Sequence, residues 1–162
     1  VLNEGCGTFK SVAGQQAFTD QDYVIEEAAG ELRLLKGVQF SDKVQQEQGT
    51  VLRFESDRPV KVVVGYFNTN SYTALRPPTL ETNALANDRG QADIRIANAL
   101  RFNGLYPVNV YTYRYEAGSN ELRLGKGRVL ILGFIDGDSP IEVHDAGISA
   151  KKDGVPVDWL FY

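Results

Sequence analysis

Apolar residues along most of this chain recur at every second position in short runs, and turn-forming residues bound each run. That period puts alternate side chains on opposite faces of an extended strand, the signature of half-buried strands rather than helices. It predicts strands near Leu32 to Val38, Thr50 to Glu55, Val60 to Phe67, Asp93 to Phe102, Pro107 to Tyr115, Glu121 to Leu124 and Val129 to Phe134. Between them, "SDRP", "FNGLYP" and "AGSN" supply the Gly, Asn, Asp and Pro that set turn dihedrals. In Val60 to Phe67 both faces are largely apolar, with Val60, Val62, Val64 and Tyr66 on one and Val63, Gly65 and Phe67 beside Lys61 on the other. Such a strand belongs in the middle of a sheet. The stretch up to Gly30 is open between a first strand at Tyr23 to Ile25 and a short helix, and "KKDGVPVDWLFY" reads as a last strand anchored by Trp159, Leu160 and Phe161.

Several short strands with no helix-length pattern between them favour an all-β, two-sheet antiparallel β-sandwich of the jelly-roll kind. At 162 residues the chain is expected to form a single domain, residues 1–162, and its opening at Val1 without any methionine reads as a fragment of a larger protein. The longest irregular stretch, Asn68 to Gly90, contains Pro77 and Pro78, which oppose regular pairing, and a loop of that length in a compact domain is often functional.

The composition, 43% hydrophobic and 23% charged, is that of a globular chain, and the net charge of -4 gives no electrostatic footprint for nucleic acid. No apolar run approaches the roughly 20 residues that span a bilayer. The lone Cys6 has no partner for a disulfide within the chain and reads as a buried or tolerated thiol. His144 is the single histidine, so a Ser/His/Asp triad lacks its serine elbow, and one His with one Cys does not fill a zinc shell. His144 reads as a strand-end residue bonded to backbone or to Asp145. No phosphate-binding glycine motif occurs, "LGKGRV" lacking the helix that such cradles use.

Two features hold binding chemistry. "IDGDSPIE" puts Asp136 and Asp138 on a glycine-containing loop where both carboxylates could face a structural calcium, and "NALANDRG", with Asn87 and Asp88, shares that ambiguity with an ordinary turn. Along Pro107 to Tyr115, alternation puts Tyr111, Tyr113 and Tyr115 on one face with Asn109. This stripe is either an amphipathic platform for a planar sugar face or part of the core, since tyrosine favours strands and cross-strand aromatic pairs stabilise sheets. The loop residues Asn68, Asn70, Tyr72 and Arg76 have the same double reading. Loops on rigid sheets hold binding residues more often than sheet interiors do, so these four are the candidate ligand residues.

The run "FESDRPVKVVVGYFNTNSYTALRPPTL", then "ADIRIANAL", "NVYTYRY" and "RVLILGFI", resembles galactose-binding-like jelly-roll domains over residues 30 to 136, through strand order and the phrase P-V-x-V-x-V-x-Y. Such domains occur as carbohydrate-binding modules appended to bacterial glycan-degrading proteins. The resemblance implies a non-catalytic module that binds carbohydrate through loops at one end or a concave face, or that positions a neighbouring domain. It also implies an extracellular or periplasmic location and makes a structural calcium unsurprising. The alternatives are a structural or protein-interaction domain without a sugar ligand, and a sugar-active hydrolase or lyase built on two converging carboxylates.

Overall fold

The computed structural model describes residues 7–67, 80–82, 93–105, 107–125, 127–139 and 144–148. The elements in chain order are β1 (Gly7–Lys10), β2 (Ile25–Ala28), a 3-10 turn (Gly30–Leu32), β3 (Lys36–Gln39), α1 (Asp42–Gln48), β4 (Thr50–Ser56), β5 (Val60–Phe67) and β6 (Leu80–Thr82). They continue with β7 (Asp93–Phe102), β8 (Val108–Tyr115), β9 (Gly118–Leu124), β10 (Val129–Asp136) and β11 (His144–Asp145). The strands form an all-β sandwich. One sheet runs β1-β3-β10-β5-β8-β7-β11, with β2 also on β7, and a three-stranded sheet runs β4-β9-β6. Pairing is antiparallel except where β11 lies parallel to β7, which brings His144 opposite Ile96.

The two apolar faces of β5 are what make the fold a sandwich with two cores. β5 lies between β10 and β8, as its double-sided pattern requires. On one face Val62, Val64, Tyr66, Tyr111, Tyr113, Tyr115, Val129 and Ile131 pack with Leu52, Phe54, Leu122 and Leu124 of the small sheet. On the other, Val63, Val108, Val110, Leu130 and Leu132 pack beneath Phe9, Phe18, Ile25 and Leu32 from the N-terminal segment. Burying one such side chain contributes on the order of 1.5–3 kcal/mol, so two layers of them outweigh any single polar contact.

A bulge in β10 keeps both cores in register. Ile131 pairs with Val64, but Gly133 pairs with Val63, leaving Leu132 as an extra residue. Unbroken alternation would send Phe134 to the face of Leu130. The extra residue turns it instead onto Phe54 at 5.2 Å, and Ile135 joins the other core.

Two expectations are corrected, and the stretch left open is decided. Leu32 to Val38 is not one strand: a 3-10 turn buries Leu32, the chain exposes Leu34, and extended structure begins only at Lys36. The open N-terminal stretch holds a strand, Ile25–Ala28. Helix α1 interrupts what reads as strands and loops alone. Its buried residues are Asp42 and Gln45, both polar, so there was no apolar helical period to detect. Trp159 and the expected last strand lie outside the described residues, as do Cys6, Asn87 and Asp88.

Candidate functional site

The tyrosine stripe is core. Tyr111, Tyr113 and Tyr115 are each at most 6% exposed, so they offer no platform to a ligand. Tyr115 meets Phe54 edge-on at 5.1 Å and Tyr66 meets Tyr111 edge-on at 4.9 Å, the geometry that ring quadrupoles favour. The Tyr66 and Tyr113 hydroxyls share a hydrogen bond of 2.5 Å inside the sandwich. Burial pushes both phenols up, Tyr113 to about 12 despite that hydrogen bond and Tyr66 further. Asn109, 1% exposed, accepts through Oδ1 from the Asn98 N–H at 2.8 Å, and Asn98 has a φ of 50° where β7 departs from regular pairing. Its amide therefore satisfies an irregular strand.

The polar candidates fall into two sets, of which one is described. Asn68, Asn70, Tyr72 and Arg76 lie outside the described residues, and their loop leaves β5 after Phe67. Asp136 sits opposite Val60, at the other end of the same strand. Eight residues at about 3.3 Å each separate those ends by roughly 25 Å.

At the far end the carboxylates are spent within a turn. Asp136 Oδ2 accepts from the Asp138 N–H at 3.2 Å, and Asp138 Oδ1 faces Arg114 Nη2 at 3.5 Å, so this carboxylate already has a cationic neighbour. Arg114 Nε also donates to the Gly137 carbonyl, and Lys61 Nζ to that of Ser139. No group of three or more His, Cys, Asp or Glu side chains is placed to hold a metal ion among the described residues.

The Phe67 end is richer than the sequence suggested. Phe67, Phe18 and Phe102 form an aromatic cluster with ring centroids 5.8–6.4 Å apart. Arg128, from the turn leading into β10, lays its guanidinium 5.2 Å from the Tyr23 ring centroid, 5.9 Å from Phe18 and 6.0 Å from Phe67. Attraction between a cation and a ring face contributes about 0.5–2 kcal/mol per contact. The same guanidinium grips Asp42 with two bonds, Nε to Oδ1 at 2.7 Å and Nη2 to Oδ2 at 3.0 Å. Asp42 is 1% exposed, a burial that a carboxylate tolerates only when paired and hydrogen-bonded.

Asp42 opens α1, and its neighbours finish the network. Ser41 caps the helix by accepting from Val44, while Asp20 accepts from the Ser41 hydroxyl and from the Asp42 and Lys43 backbone N–H groups at 2.7–3.1 Å. Burial alone would raise the Asp20 carboxyl, but those donors outweigh it and hold it below its usual value. Beside this network an open cleft of about 550 Å³ is lined by Asp20, Gln21, Asp42, Lys43, Gln46 and Glu47. Sequence reasoning missed Arg128, Tyr23 and Asp42. Arg128 and Asp42 lie 86 positions apart, so no local motif joins them.

No protein-family model matches this chain, and no curated protein matches it. Among solved structures it is similar to a GH138 enzyme targeting pectin rhamnogalacturonan II, at 31% sequence identity and a TM-score of 0.73. The likeness covers 91% of this chain but only 17% of that enzyme. This chain therefore matches only a part of that enzyme's length. Among the described residues no helix is long and apolar enough to cross a membrane.

Proposed function

We propose that this chain is a single, non-catalytic carbohydrate-binding or accessory module of a larger glycan-processing protein, of the galactose-binding-like jelly-roll kind, working in an extracellular or periplasmic location. The observation that carries this reading is the 31% identity to a region making up 17% of an enzyme that targets pectin rhamnogalacturonan II. The ligand end is the one to which β5 delivers its loop. Asn68, Asn70, Tyr72 and Arg76, which follow β5 in the sequence, supply amide, hydroxyl, ring and guanidinium groups, Tyr72 by stacking and Arg76 by in-plane hydrogen bonds. Asp136 and Asp138 are proposed as the position of a structural calcium.

Glycan-array binding of the chain and of Tyr72→Ala and Arg76→Ala variants tests the site. Loss of binding in both, with an unchanged melting temperature, is the expected result, and full retention sinks the assignment. Calcium titration tests the second position: a melting temperature that rises with calcium, and no longer does so in Asp138→Asn, is the expected outcome.

The burial of the tyrosine stripe favours a second reading, in which the domain only positions its neighbours within a longer polypeptide. A chain that binds no glycan but docks onto the remainder of its parent protein would establish this second role.

A further inference from the structure

We propose that Arg128 and Tyr23 form a subsite for an uncharged sugar unit, the guanidinium donating to two adjacent hydroxyls while the Tyr23 ring packs against the sugar. The inference rests on the carbohydrate-binding reading and adds to it a charge class and two residues.

The donor count comes first. A guanidinium has five N–H groups and no acceptor. Two of them go to Asp42, and the Tyr23 side chain lies close enough to draw on a third. At least two remain without a protein acceptor among the described residues, on a side chain that is 25% exposed. Those N–H groups are held in place on one side by the two bonds to Asp42 and on the other by the Phe18, Tyr23 and Phe67 rings. Donors fixed in this way lose little freedom when a ligand arrives. The Tyr23 ring is only half-buried. Gly104, which has no side chain of its own, lies at its edge, where an added Cβ would stand 3.9 Å from the ring.

Charge decides what those donors accept. Asp42 already cancels the guanidinium charge, and among the described residues lining the adjoining cleft Asp20 and Glu47 face a single further cation, Lys43. An entering carboxylate would give up its water shell and find no net positive field in return. A pair of adjacent hydroxyls matches the same two donors at a far smaller desolvation cost. The subsite therefore selects neutral sugars over uronates.

The test is an array of plant cell-wall oligosaccharides in which each uronate-bearing member is also present as its carboxyl-reduced, neutral form. The expected result is at least tenfold tighter binding of neutral forms, with at least tenfold loss in Tyr23→Ala and in Arg128→Lys, which keeps the charge but not the fork. In Asp42→Asn the guanidinium charge is no longer cancelled, so preference should move toward the uronates, a change that a purely structural role would not produce. Melting temperatures identify any variant that fails to fold, and Tyr23→Phe, which retains the ring, should keep most of the affinity. Preference for the uronates in the unaltered chain, or binding indifferent to Tyr23→Ala and Arg128→Lys, overturns the subsite while leaving the carbohydrate reading standing. Binding of no saccharide at all overturns both.

Discussion

The Gln45 side chain completes the edge of a sheet: its Nε2 donates to the Val129 carbonyl at 3.1 Å, and its Oε1 accepts from the Val129 N–H at 3.2 Å. A helix residue thus occupies the place of a strand partner beside β10, where β3 reaches only as far as the pairing of Val38 with Ile131. Gln45 is 2% exposed, so water cannot replace it easily. Gln45→Leu keeps the bulk and leaves both Val129 groups unpaired. A loss of about 2–6 kcal/mol is expected, at about 1–3 kcal/mol per unsatisfied buried group. Urea denaturation measures it, and a loss under about 0.5 kcal/mol would show that solvent reaches the site.

The buried phenols predict alkaline sensitivity. Burial raises the folded values of Tyr66, Tyr113 and Tyr115 above the value of about 10 expected in the unfolded chain. Their contribution to stability is therefore fully present below pH ~10 and is lost as pH rises through the folded values. Tyrosinate absorbance should lag behind that of an unfolded control and appear together with loss of near-ultraviolet circular dichroism. Early titration of all eight tyrosines before unfolding would contradict the burial.

Asp20 predicts the opposite behaviour in acid. Its carboxyl is held low by the α1 donors, so its contribution is present above the unfolded value of about 3.9 and disappears as pH falls through the folded value. Because the group is exposed, the effect is that of a helix cap, about 1 kcal/mol in Asp20→Ala. Stability curves of the two proteins should differ at neutral pH and converge in acid.

The β10 bulge predicts a steric failure. Gly133 has a φ of 146°, and a Cβ there would stand 2.8 Å from the Leu35 Cβ and 3.2 Å from the Lys36 carbonyl oxygen. Gly133→Ala should lower stability by about 1–3 kcal/mol, read from the urea midpoint. Gly118→Ala is the control: its φ of 119° imposes backbone strain too, but nothing lies within 4 Å. The two penalties should differ by the packing clash.

Period-two burial determined the architecture from the sequence alone. The apolar run at Val60 to Phe67 and the longer strand Asp93 to Phe102 were legible to the residue, because side-chain direction alternates along a strand until a bulge, as in β10, resets it. The two-sided pattern of β5 likewise identified an interior strand before any pairing was known.

Tertiary structure alone decided what the side chains do. Tyr111 and Tyr113 have the same alternation whether they face solvent or a second sheet, and the arrival of Leu52, Phe54 and Leu122 made them core. Arg128, Asp42 and Tyr23 come from three separate parts of the chain, and only folding brings a cation, its counter-charge and its rings together. Local spacing encodes direction along a strand. Long-range contact decides burial and charge pairing, and these set the chemistry available at the Phe67 end.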